Sequence, residues 1–323
     1  MNRLEVIMVS IADVAKKSHV SKMTVSRVLN HPEQVSPEIS DVVQRAINEL
    51  GYVQQRAGRA LATSRTYTVA FVMLDEVSNV DPYFGQLITY VSDYLYQEGY
   101  NLELHRSLND HFYDIDGILV SGARAKDQAK LNALPFPLVA YGNQPEIASV
   151  DVDNKLGTML AKEHLIASGY QHLIYLGIDL DEQFALERLN GFKAIDTSEH
   201  VTETIYQLPN SDKEARDFFN SLTVPPLTGV VTASDRLALG TLYSCYDKGL
   251  IVPNDVGIVG FDGIFINHLS PLNLTTIAQP LQQIAQTMVQ TLLTAINSNH
   301  QTLNPSVIPP TLLQGETTTQ LAD

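Results

Sequence analysis

Small polar and basic side chains crowd the segment from residue 21 to residue 30. Hydroxyl and amide groups hydrogen-bond to phosphate oxygens, and lysine and arginine contact phosphates or guanine edges. Methionine donates no hydrogen bond, so Met23 would contact an apolar feature such as a thymine methyl group. The candidate DNA contacts are Ser21, Lys22, Met23, Thr24, Ser26, Arg27 and Asn30.

These residues belong to the second of two short predicted helices. Ser10 is placed to begin the first helix, with Asp13 three residues later in the capping-box position. Residues 18–20 form a turn, Ser21 begins the second helix, and a third is predicted over 37–50. This pattern is typical of a helix-turn-helix whose second helix enters the major groove. The alternative is a generic helical bundle with a solvated polar face.

The charge of the chain is unevenly distributed along its length. Its 323 residues carry a formal net charge of −15, yet residues 1–66 alone carry +3. A basic N-terminal part on an acidic remainder directs phosphate binding to one end of the molecule. Hydrophobic residues make up 44% of the chain, which is enough for two or three domains with sizeable cores.

Composition also bears on the compartment. The single cysteine, Cys245, excludes an internal disulfide framework and favours a cytoplasmic location, where it would be a small buried apolar residue. No apolar run is long enough to span a bilayer, and residues 1–9 are too short and too acidic for a signal peptide. Because the helical pattern begins just after Met8, we expect either that Met8 is the native start or that residues 1–7 are disordered.

From Tyr67 onward, short apolar runs alternate with amphipathic segments such as 85–98. Strands of a parallel sheet that is covered on both faces are apolar throughout. The predicted strands cover residues 69–74, 117–120, 138–141, 173–177, 229–233 and 256–261. The alternation indicates a doubly wound α/β body.

The helix-turn-helix segment carries a long and specific pattern. It comprises Ile11, the run 13–15, Val20-Ser21 and the run 24–30. In these residues the chain resembles the DNA-binding signature of the lactose-repressor (LacI/GalR) family. His19 stands in the turn where that family has glycine, so we expect a strained backbone with positive φ there.

The resemblance extends from about residue 9 to residue 316 and implies three parts. These are a helix-turn-helix DNA-binding domain (9–53), a hinge (54–66) and an effector-binding and dimerisation domain (67–316). The third part would be a periplasmic-binding-protein-like body of two doubly wound parallel-sheet subdomains. They would cover about 67–153 plus 281–303 and about 154–279 plus 305–316.

The hinge permits a helix but lacks an apolar stripe wide enough to bury alone. The resemblance implies that it folds only on DNA, where Leu61 would insert between base steps of the minor groove and kink the duplex. Gly58 replaces the usual alanine and weakens the free helix by about 1 kcal/mol. Without DNA we expect a disordered linker.

Two connections are shorter than the family pattern. Only residues 107–116 separate two predicted strands, whereas a parallel crossover usually needs a dozen or more residues with a helix. We therefore expect no helix there and one sheet face that is partly uncovered or covered by a partner. A second helix is expected to end early, near Ala194.

Ligands of open α/β sheets bind beyond the carboxyl ends of the strands. Seven polar and aromatic residues lie at such places, and all of them except Ser121 and Asp153 match effector-binding positions of the family. They are Tyr83, Phe84, Ser121, Asp153, Arg188, Asp235 and Asp262. Helix capping, salt bridging within a cleft and simple packing are the alternative roles, with capping an equal alternative for Asp235.

No pattern of residues indicates catalysis, a metal site or a cofactor. The nine histidines lack metal-ligand spacing, and neither a nucleophile elbow nor a phosphate-binding glycine loop is present. A sugar-processing enzyme therefore finds no support. A sugar-binding module without a role in regulation is the main alternative, against which the basic N-terminal part argues.

The resemblance implies a sequence-specific transcriptional regulator, in the role of a repressor. Its partners would be a pseudo-palindromic DNA operator, a second copy of the chain and a small-molecule effector, a sugar or sugar phosphate. A phosphocarrier protein as co-regulator is a further expectation, and no membrane is involved. The identity of the effector, the sign of its effect, the operator sequence and the choice between dimer and tetramer are left open.

Overall fold

A computed structural model describes residues 9–52, 63, 65–75, 82–144, 146–197, 200–264, 272–298 and 305–319. The chain divides into two compact units, which are described separately. The first comprises Met1–Thr68 with Tyr113–Asp116, and the second comprises Val69–Phe112 with Gly117–Asp323. Most of the predicted hinge, including Leu61 and Gly58, lies outside the described residues. No helix in the described parts of the chain is long and apolar enough to cross a membrane.

The first unit contains the predicted helix-turn-helix. Its helices are α1 (Ile11–Lys17), α2 (Lys22–Asn30) and α3 (Pro37–Leu50), with a 3₁₀ turn at Pro32–Gln34. The Asp13 carboxylate accepts hydrogen bonds from the Ser10 amide (2.9 Å) and hydroxyl (2.6 Å), which stabilises the start of α1. The Ser21 hydroxyl accepts one from the Thr24 amide (3.0 Å) at the start of α2.

A small apolar core fixes the orientation of these helices. Its buried residues are Val14, Ala15, Val25, Val28, Val43, Ala46 and Ile47. The turn between α1 and α2 places His19 at a φ of 55°, as predicted for a position where glycine is usual. The helix α3 ends at Gly51, whose φ of 62° suits a residue without a side chain.

The second unit is built on two six-stranded sheets. The strands of the first are β1 (Thr68–Met73), β2 (Asn101–His105), β3 (Gly117–Ser121), β4 (Leu138–Tyr141), β5 (Ala148–Val152) and β11 (Ser306–Ile308), in the order β11-β5-β4-β3-β1-β2. The strand pairs from β11 to β1 are parallel. The helices α4 (Pro82–Gln97), α5 (Gln128–Ala133) and α10 (Leu281–Ser298) accompany them.

The second sheet repeats this plan. Its strands are β6 (His172–Ile178), β7 (Thr202–Leu208), β8 (Thr228–Thr232), β9 (Val256–Asp262), β10 (Thr275–Ala278) and β12 (Thr311–Leu313), in the order β12-β10-β9-β8-β6-β7. All are parallel except β12, which runs antiparallel to β10. The helices are α6 (Asn154–Ala167), α7 (Gln183–Lys193), α8 (Asp212–Ser221) and α9 (Asp235–Lys248).

The predicted fold class is confirmed, and the C-terminal boundary needs a correction. The segment 305–316 was assigned to the second subdomain, but β11 pairs with β5 of the first sheet before β12 joins the second. The chain thus crosses from one sheet to the other between Ile308 and Thr311. Each sheet therefore receives one short strand from this C-terminal segment, and only two residues, 309–310, connect the two strands.

The shortened connection between β2 and β3 holds no helix, as predicted from its length. The expectation of an uncovered sheet face is wrong for the central strands, since every residue of β1 and β3 is buried. The exposed apolar side chains of this sheet lie on its two edge strands, Leu104 on β2 (55%) and Val307 on β11 (59%). The helix α7 ends at Lys193, close to the predicted early end.

Candidate functional site

The helix α2, here called the recognition helix, separates its apolar and polar side chains. Val25 and Val28 are buried in the core of the first unit, whereas Lys22, Met23 and Arg27 are exposed. Met23 keeps 66% of its surface exposed. An exposed methionine next to two cations forms a surface that suits the major groove, where apolar contacts and hydrogen bonds both discriminate bases.

The smaller polar residues of the recognition helix also bond to one another. The Ser21 and Thr24 hydroxyl oxygens lie 2.9 Å apart, and the Asn30 amide donates to the carbonyl oxygen of Ser26 at 2.9 Å. These four residues thus help to hold the helix ends. Direct contacts of Lys22, Met23 and Arg27 to base edges stay a prediction.

A cleft of about 1540 Å³ lies in the second unit, lined by residues that follow strands of both sheets. It is larger than the usual ligand pocket of about 300–1,000 Å³. Lining residues come after β1, β3 and β4 of the first sheet and after β6, β8 and β9 of the second. The cleft therefore lies at the carboxyl ends of parallel strands, where open α/β folds bind their ligands.

Arg188, on α7, is rigidly held in the cleft. Its guanidinium carbon lies 3.7 Å from the centre of the Phe261 ring and 5.0 Å from that of Phe184. Nε donates to Asn154 Oδ1 at 2.8 Å, and Nη1 donates to the Ala233 carbonyl oxygen at 2.6 Å. Only 5% of the residue is exposed. Stacking and hydrogen bonds together fix the plane of the guanidinium.

A chain of polar contacts continues from Arg188 across the cleft. Arg188 Nη1 lies 3.6 Å from Asp262 Oδ1, which accepts a hydrogen bond from the Gln279 amide nitrogen at 2.9 Å. Gln279 Oε1 accepts hydrogen bonds from the hydroxyls of Tyr83 (2.9 Å) and Tyr141 (3.1 Å). The two hydroxyls also contact each other. We call these five residues the cleft floor.

The cleft floor joins the two subdomains. Tyr83 and Tyr141 belong to α4 and β4 beside the first sheet, whereas Asp262 ends β9 of the second sheet. Gln279 follows β10, at the return of the chain to the first subdomain. Burial raises the pKa of both tyrosine hydroxyls above their usual value, so they stay neutral and act as donors. A change in the angle between the subdomains must therefore alter these bonds.

Asp151, at the end of β5, is a second acidic group of the cleft. Its carboxylate accepts hydrogen bonds from the amides of Val152 (2.7 Å) and Asn143 (3.0 Å). Burial raises the pKa of Asp151 to about 6, and the nearby carboxylate of Glu187 adds to this shift. The carboxyl group thus changes charge close to neutral pH.

Asp75, which comes shortly after β1 of the first sheet, also lines the cleft. Its carboxylate accepts a hydrogen bond from the Ser121 hydroxyl at 2.6 Å, and burial raises its pKa. The Asp75 carbonyl oxygen accepts a bond from Arg106 at 2.8 Å. Ser121 itself is fully buried, so it positions Asp75 and does not line the cleft.

Two polar contacts at the cleft rim cross from one subdomain to the other. Arg124, after β3, donates to Glu182 Oε1 from Nε at 3.2 Å and from Nη2 at 2.7 Å. The Asn143 amide donates to Glu187 Oε1 at 3.4 Å. We call these four residues the cleft rim. Their bonds favour the arrangement of the two subdomains that the structure shows.

The structure brings together four of the seven predicted effector residues. Tyr83, Phe84, Arg188 and Asp262 all line the cleft. Ser121 reaches it only through Asp75. The placement of these residues is consistent with a ligand site, although their binding role remains a prediction.

Asp153 and Asp235 lie outside the lining. The Asp153 carboxylate accepts a hydrogen bond from the Leu156 amide at 2.8 Å and caps α6. Asp235 is 0% exposed and accepts bonds from Thr276 Oγ1 (2.5 Å) and from the amides of Gly263 (3.0 Å) and Ile264 (3.2 Å). Both geometries favour the structural alternative for these residues, because capping and loop anchoring occupy their carboxylates.

Several lining residues escaped the sequence analysis. They are Asp75, Arg124, Tyr141, Glu182 and Gln279. Tyr141 and Asp75 each follow an apolar strand, a signal that could have marked them. Gln279 carries no such signal, since only the crossing between the sheets brings it to the floor. Among the described residues, no group of three or more His, Cys, Asp or Glu side chains is arranged to hold a metal ion.

Comparisons with known proteins agree with this architecture. The family profile described as bacterial regulatory proteins of the lacI family matches residues 10–55, and a periplasmic binding protein-like domain profile matches residues 162–318. The HTH-type transcriptional regulator YvdE of Bacillus subtilis is 34% identical over 317 residues, which cover 96% of this chain and 100% of that protein.

Two solved structures resemble the whole chain. The transcriptional regulator CelR in complex with cellobiose has a TM-score of 0.66 and 25% identity, and the match covers 96% of this chain and 99% of that one. The lac repressor dimer bound to operator and an anti-inducer has a TM-score of 0.73 and 23% identity, over 97% of this chain and 100% of that one. The second likeness shows the fold alone.

Proposed function

Because the chain belongs to the lacI family of bacterial regulatory proteins, whose members regulate transcription by binding DNA, we propose that it acts as an operator-binding homodimer controlled by a sugar. The recognition helix would read the operator. The cleft would hold the sugar. The observation that carries the proposal is Arg188, stacked on Phe261 and aimed with Asp262 into a large cleft between the two sheets.

A dimer follows from the size of the DNA-reading surface. Lys22, Met23 and Arg27 reach only a few base pairs, so one copy gains too little free energy for tight and selective binding. Two copies related by a two-fold axis double these contacts and match a near-palindromic operator. Leu61, which lies outside the described residues, would insert into the minor groove between the two half-sites.

The cleft has the chemistry of a sugar site. Arg188 and Asn154 supply donors, Asp262 and Asp151 supply acceptors, and Phe84 lines the same space with an aromatic ring. Sugars offer hydroxyls in fixed pairs and apolar ring faces, which such a mixed lining recognises. The CelR complex with cellobiose supports this assignment.

The two functions are coupled by linkage. A sugar that contacts both subdomains stabilises one angle between them, and only one arrangement of two copies would let both recognition helices reach the operator. We propose repression as the outcome of operator binding. A phosphocarrier protein as co-regulator stays a prediction.

Operator binding is tested first with the full-length protein. Fragments captured from genomic DNA and sequenced define the operator, and fluorescence anisotropy at fixed salt then measures affinity for that site and for a scrambled one. We expect Lys22→Ala to weaken operator binding at least tenfold. The control Arg45→Ala removes an equally exposed cation of α3 and should change affinity less than threefold.

Sugar control is tested with the same operator. Adding ribose or cellobiose should shift the operator titration, and the direction of the shift distinguishes an inducer from a corepressor. A protein that binds sugar but does not distinguish operator from scrambled DNA would instead be a sugar-binding module. Turnover of the sugar, followed by NMR, would point to an enzyme.

A further inference from the structure

We propose that the effector is an uncharged oligosaccharide of at least two rings, and that the cleft excludes phosphorylated sugars. This inference rests on the proposed sugar-binding function and specifies its ligand. It depends on three features of the cleft: the balance of its charges, the occupation of its cations and its size.

Carboxylates outnumber cations in the cleft lining. Among the residues that the structure describes, seven acidic and four basic side chains line it. The acidic residues are Asp75, Glu146, Asp151, Asp179, Asp181, Glu182 and Asp262, and the basic residues are Arg124, Lys126, Arg188 and Arg236. A phosphate group would bring up to two further negative charges into a space that is already negative.

The carboxylates already repel one another. Burial raises the pKa of Asp75, and the charge of Glu182 raises it further. Burial likewise raises the pKa of Asp151 to about 6, with an added contribution from Glu187. Each group thus has a neighbouring carboxylate that disfavours its charged form, and a bound anion would add to that repulsion.

The buried cation of the cleft is already matched by protein groups. Arg188 pairs with Asp262 and donates to Asn154 and to the Ala233 carbonyl oxygen. Its guanidinium also lies against the Phe261 ring, 3.7 Å from its centre, with the centre of the Phe184 ring 5.0 Å away. A phosphate that took Arg188 would have to displace Asp262 and leave that carboxylate without its counter-charge, which is costly in a buried site.

One of the other three cations of the lining is paired in the same way. Arg124 forms two hydrogen bonds to Glu182, so a phosphate would compete with an existing carboxylate.

The size of the cleft indicates more than one sugar ring. Its volume of about 1540 Å³ exceeds the usual range for small-molecule pockets. Its lining also extends from the buried Arg188 to the exposed side chains of Leu180 (45%) and Leu186 (51%). A ring stacked on these leucines as well as one above Arg188 would use the apolar surface that a single ring leaves in water.

Calorimetric titration of the full-length protein tests the charge argument with matched pairs. The probes are glucose and glucose 6-phosphate, cellobiose and cellobiose 6′-phosphate, and maltose and maltose 6′-phosphate. Where either member of a pair binds, the uncharged sugar should bind at least tenfold more tightly than its phosphate, a difference of about 1.4 kcal/mol in binding free energy. The best disaccharide should bind at least tenfold more tightly than glucose.

Two variants separate charge from shape. Glu182→Gln removes a lining carboxylate and releases Arg124, so the ratio between uncharged and phosphorylated affinities should fall at least threefold. Glu163→Gln, an exposed carboxylate of α6 outside the lining, is the matched control and should leave the ratio unchanged. High salt should reduce the ratio for the unaltered protein by screening.

The outcomes are distinct. Equal or tighter binding of the phosphorylated member overturns this inference and leaves the sugar-regulated function standing. Tighter binding of glucose than of every disaccharide overturns the size argument. Binding of no probe in either form, while operator binding persists, overturns both this inference and the proposed sugar effector.

Discussion

In the recognition helix the side chains that would touch DNA stand in solvent, whereas on the cleft floor the side chains that would touch a ligand are bonded to one another. Met23 is 66% exposed, while Arg188 is 5% exposed and engaged by Asn154, Ala233 and Asp262. The difference reflects the partner. A duplex comes to a surface, whereas a small ligand must be enclosed by groups that are already oriented.

This contrast has an energetic consequence. Exposed residues contribute little to stability, so selection can change the recognition helix without unfolding the chain. Residues of the cleft floor contribute to the fold and to ligand binding together, because each is the hydrogen-bond partner of another. Substitutions on the floor should therefore alter stability and sugar response at once.

The largest effect is expected from Arg188→Met. Loss of the guanidinium leaves Asp262 without its buried counter-charge, and we expect the free energy of unfolding to fall by about 3–5 kcal/mol. Urea denaturation measures the change. In the control Arg216→Met, only the exposed pair with Asp247 is lost, and the cost should be far smaller because solvent screens that pair. Similar costs for the two variants would erase the contrast between floor and surface.

The second effect concerns pH and Asp151. Its folded-state pKa of about 6 is above the usual 3.8, so the folded chain holds a proton between pH 4 and 6 that the unfolded chain has released. Stability from this group is therefore greatest below pH 4 and falls as pH rises to 6, by about 3 kcal/mol in total.

Asp151→Asn removes that titration. The difference in unfolding free energy between the unaltered protein and the variant should change by this amount from pH 4 to pH 7, with the unaltered protein favoured at the acidic end. Urea denaturation across the pH range measures it. A constant difference would mean that Asp151 ionises normally in the folded chain.

The third prediction concerns Gln279→Leu. The substitution removes the acceptor of Tyr83 and Tyr141 and the donor to Asp262, and we expect a loss of about 1–3 kcal/mol in stability. The influence of sugar on operator affinity should also weaken, because the bonds of the cleft floor between the two subdomains are lost. The exposed Gln282→Leu on α10 is the control and should stay within about 0.5 kcal/mol.

The smallest change in stability is expected from Met23→Ala. Its exposed side chain makes few packing contacts, so the free energy of unfolding, measured by thermal denaturation, should change by less than about 0.5 kcal/mol. Discrimination between operator and single-base variants should nonetheless fall by about 1–3 kcal/mol at the contacted base pair. A variant that loses stability but keeps full discrimination would contradict this prediction, because Met23 would then serve the fold and not the reading of DNA.

Sequence reasoning succeeded where local chemistry was decisive. The caps at Ser10 and Ser21, the positive φ of His19 and the missing helix before β3 all depend on neighbours in the chain. The prediction of Asp153 rather than Asp151 as a cleft residue was wrong. Both acids follow the same strand, but one faces the cleft and the other caps α6. Residues two apart in a strand point to the same face of the sheet, so the strand pattern does not distinguish them. They differ because β5 ends at Val152 and α6 begins directly after Asp153.

Asp235 illustrates a different limit. Its position at the start of α9 suits both a ligand contact and a structural anchor, and its carboxylate in fact accepts bonds from Thr276, Gly263 and Ile264. These partners lie 28 or more residues away along the chain. Distant partners of this kind leave no trace in local spacing.

The sequence by itself determined the three helices of the DNA-binding domain, the alternation of strands and helices and the apolar strands. The spacing of apolar residues and the helix caps that specify them act over a few residues. Only the tertiary structure decided which side chains form the cleft floor and rim. Tyr83, Tyr141, Asp262 and Gln279 meet because the chain, after β10 of the second sheet, returns to the first subdomain and brings Gln279 between the two sheets. Contacts of that range are set by the packing of whole subdomains and not by any local pattern.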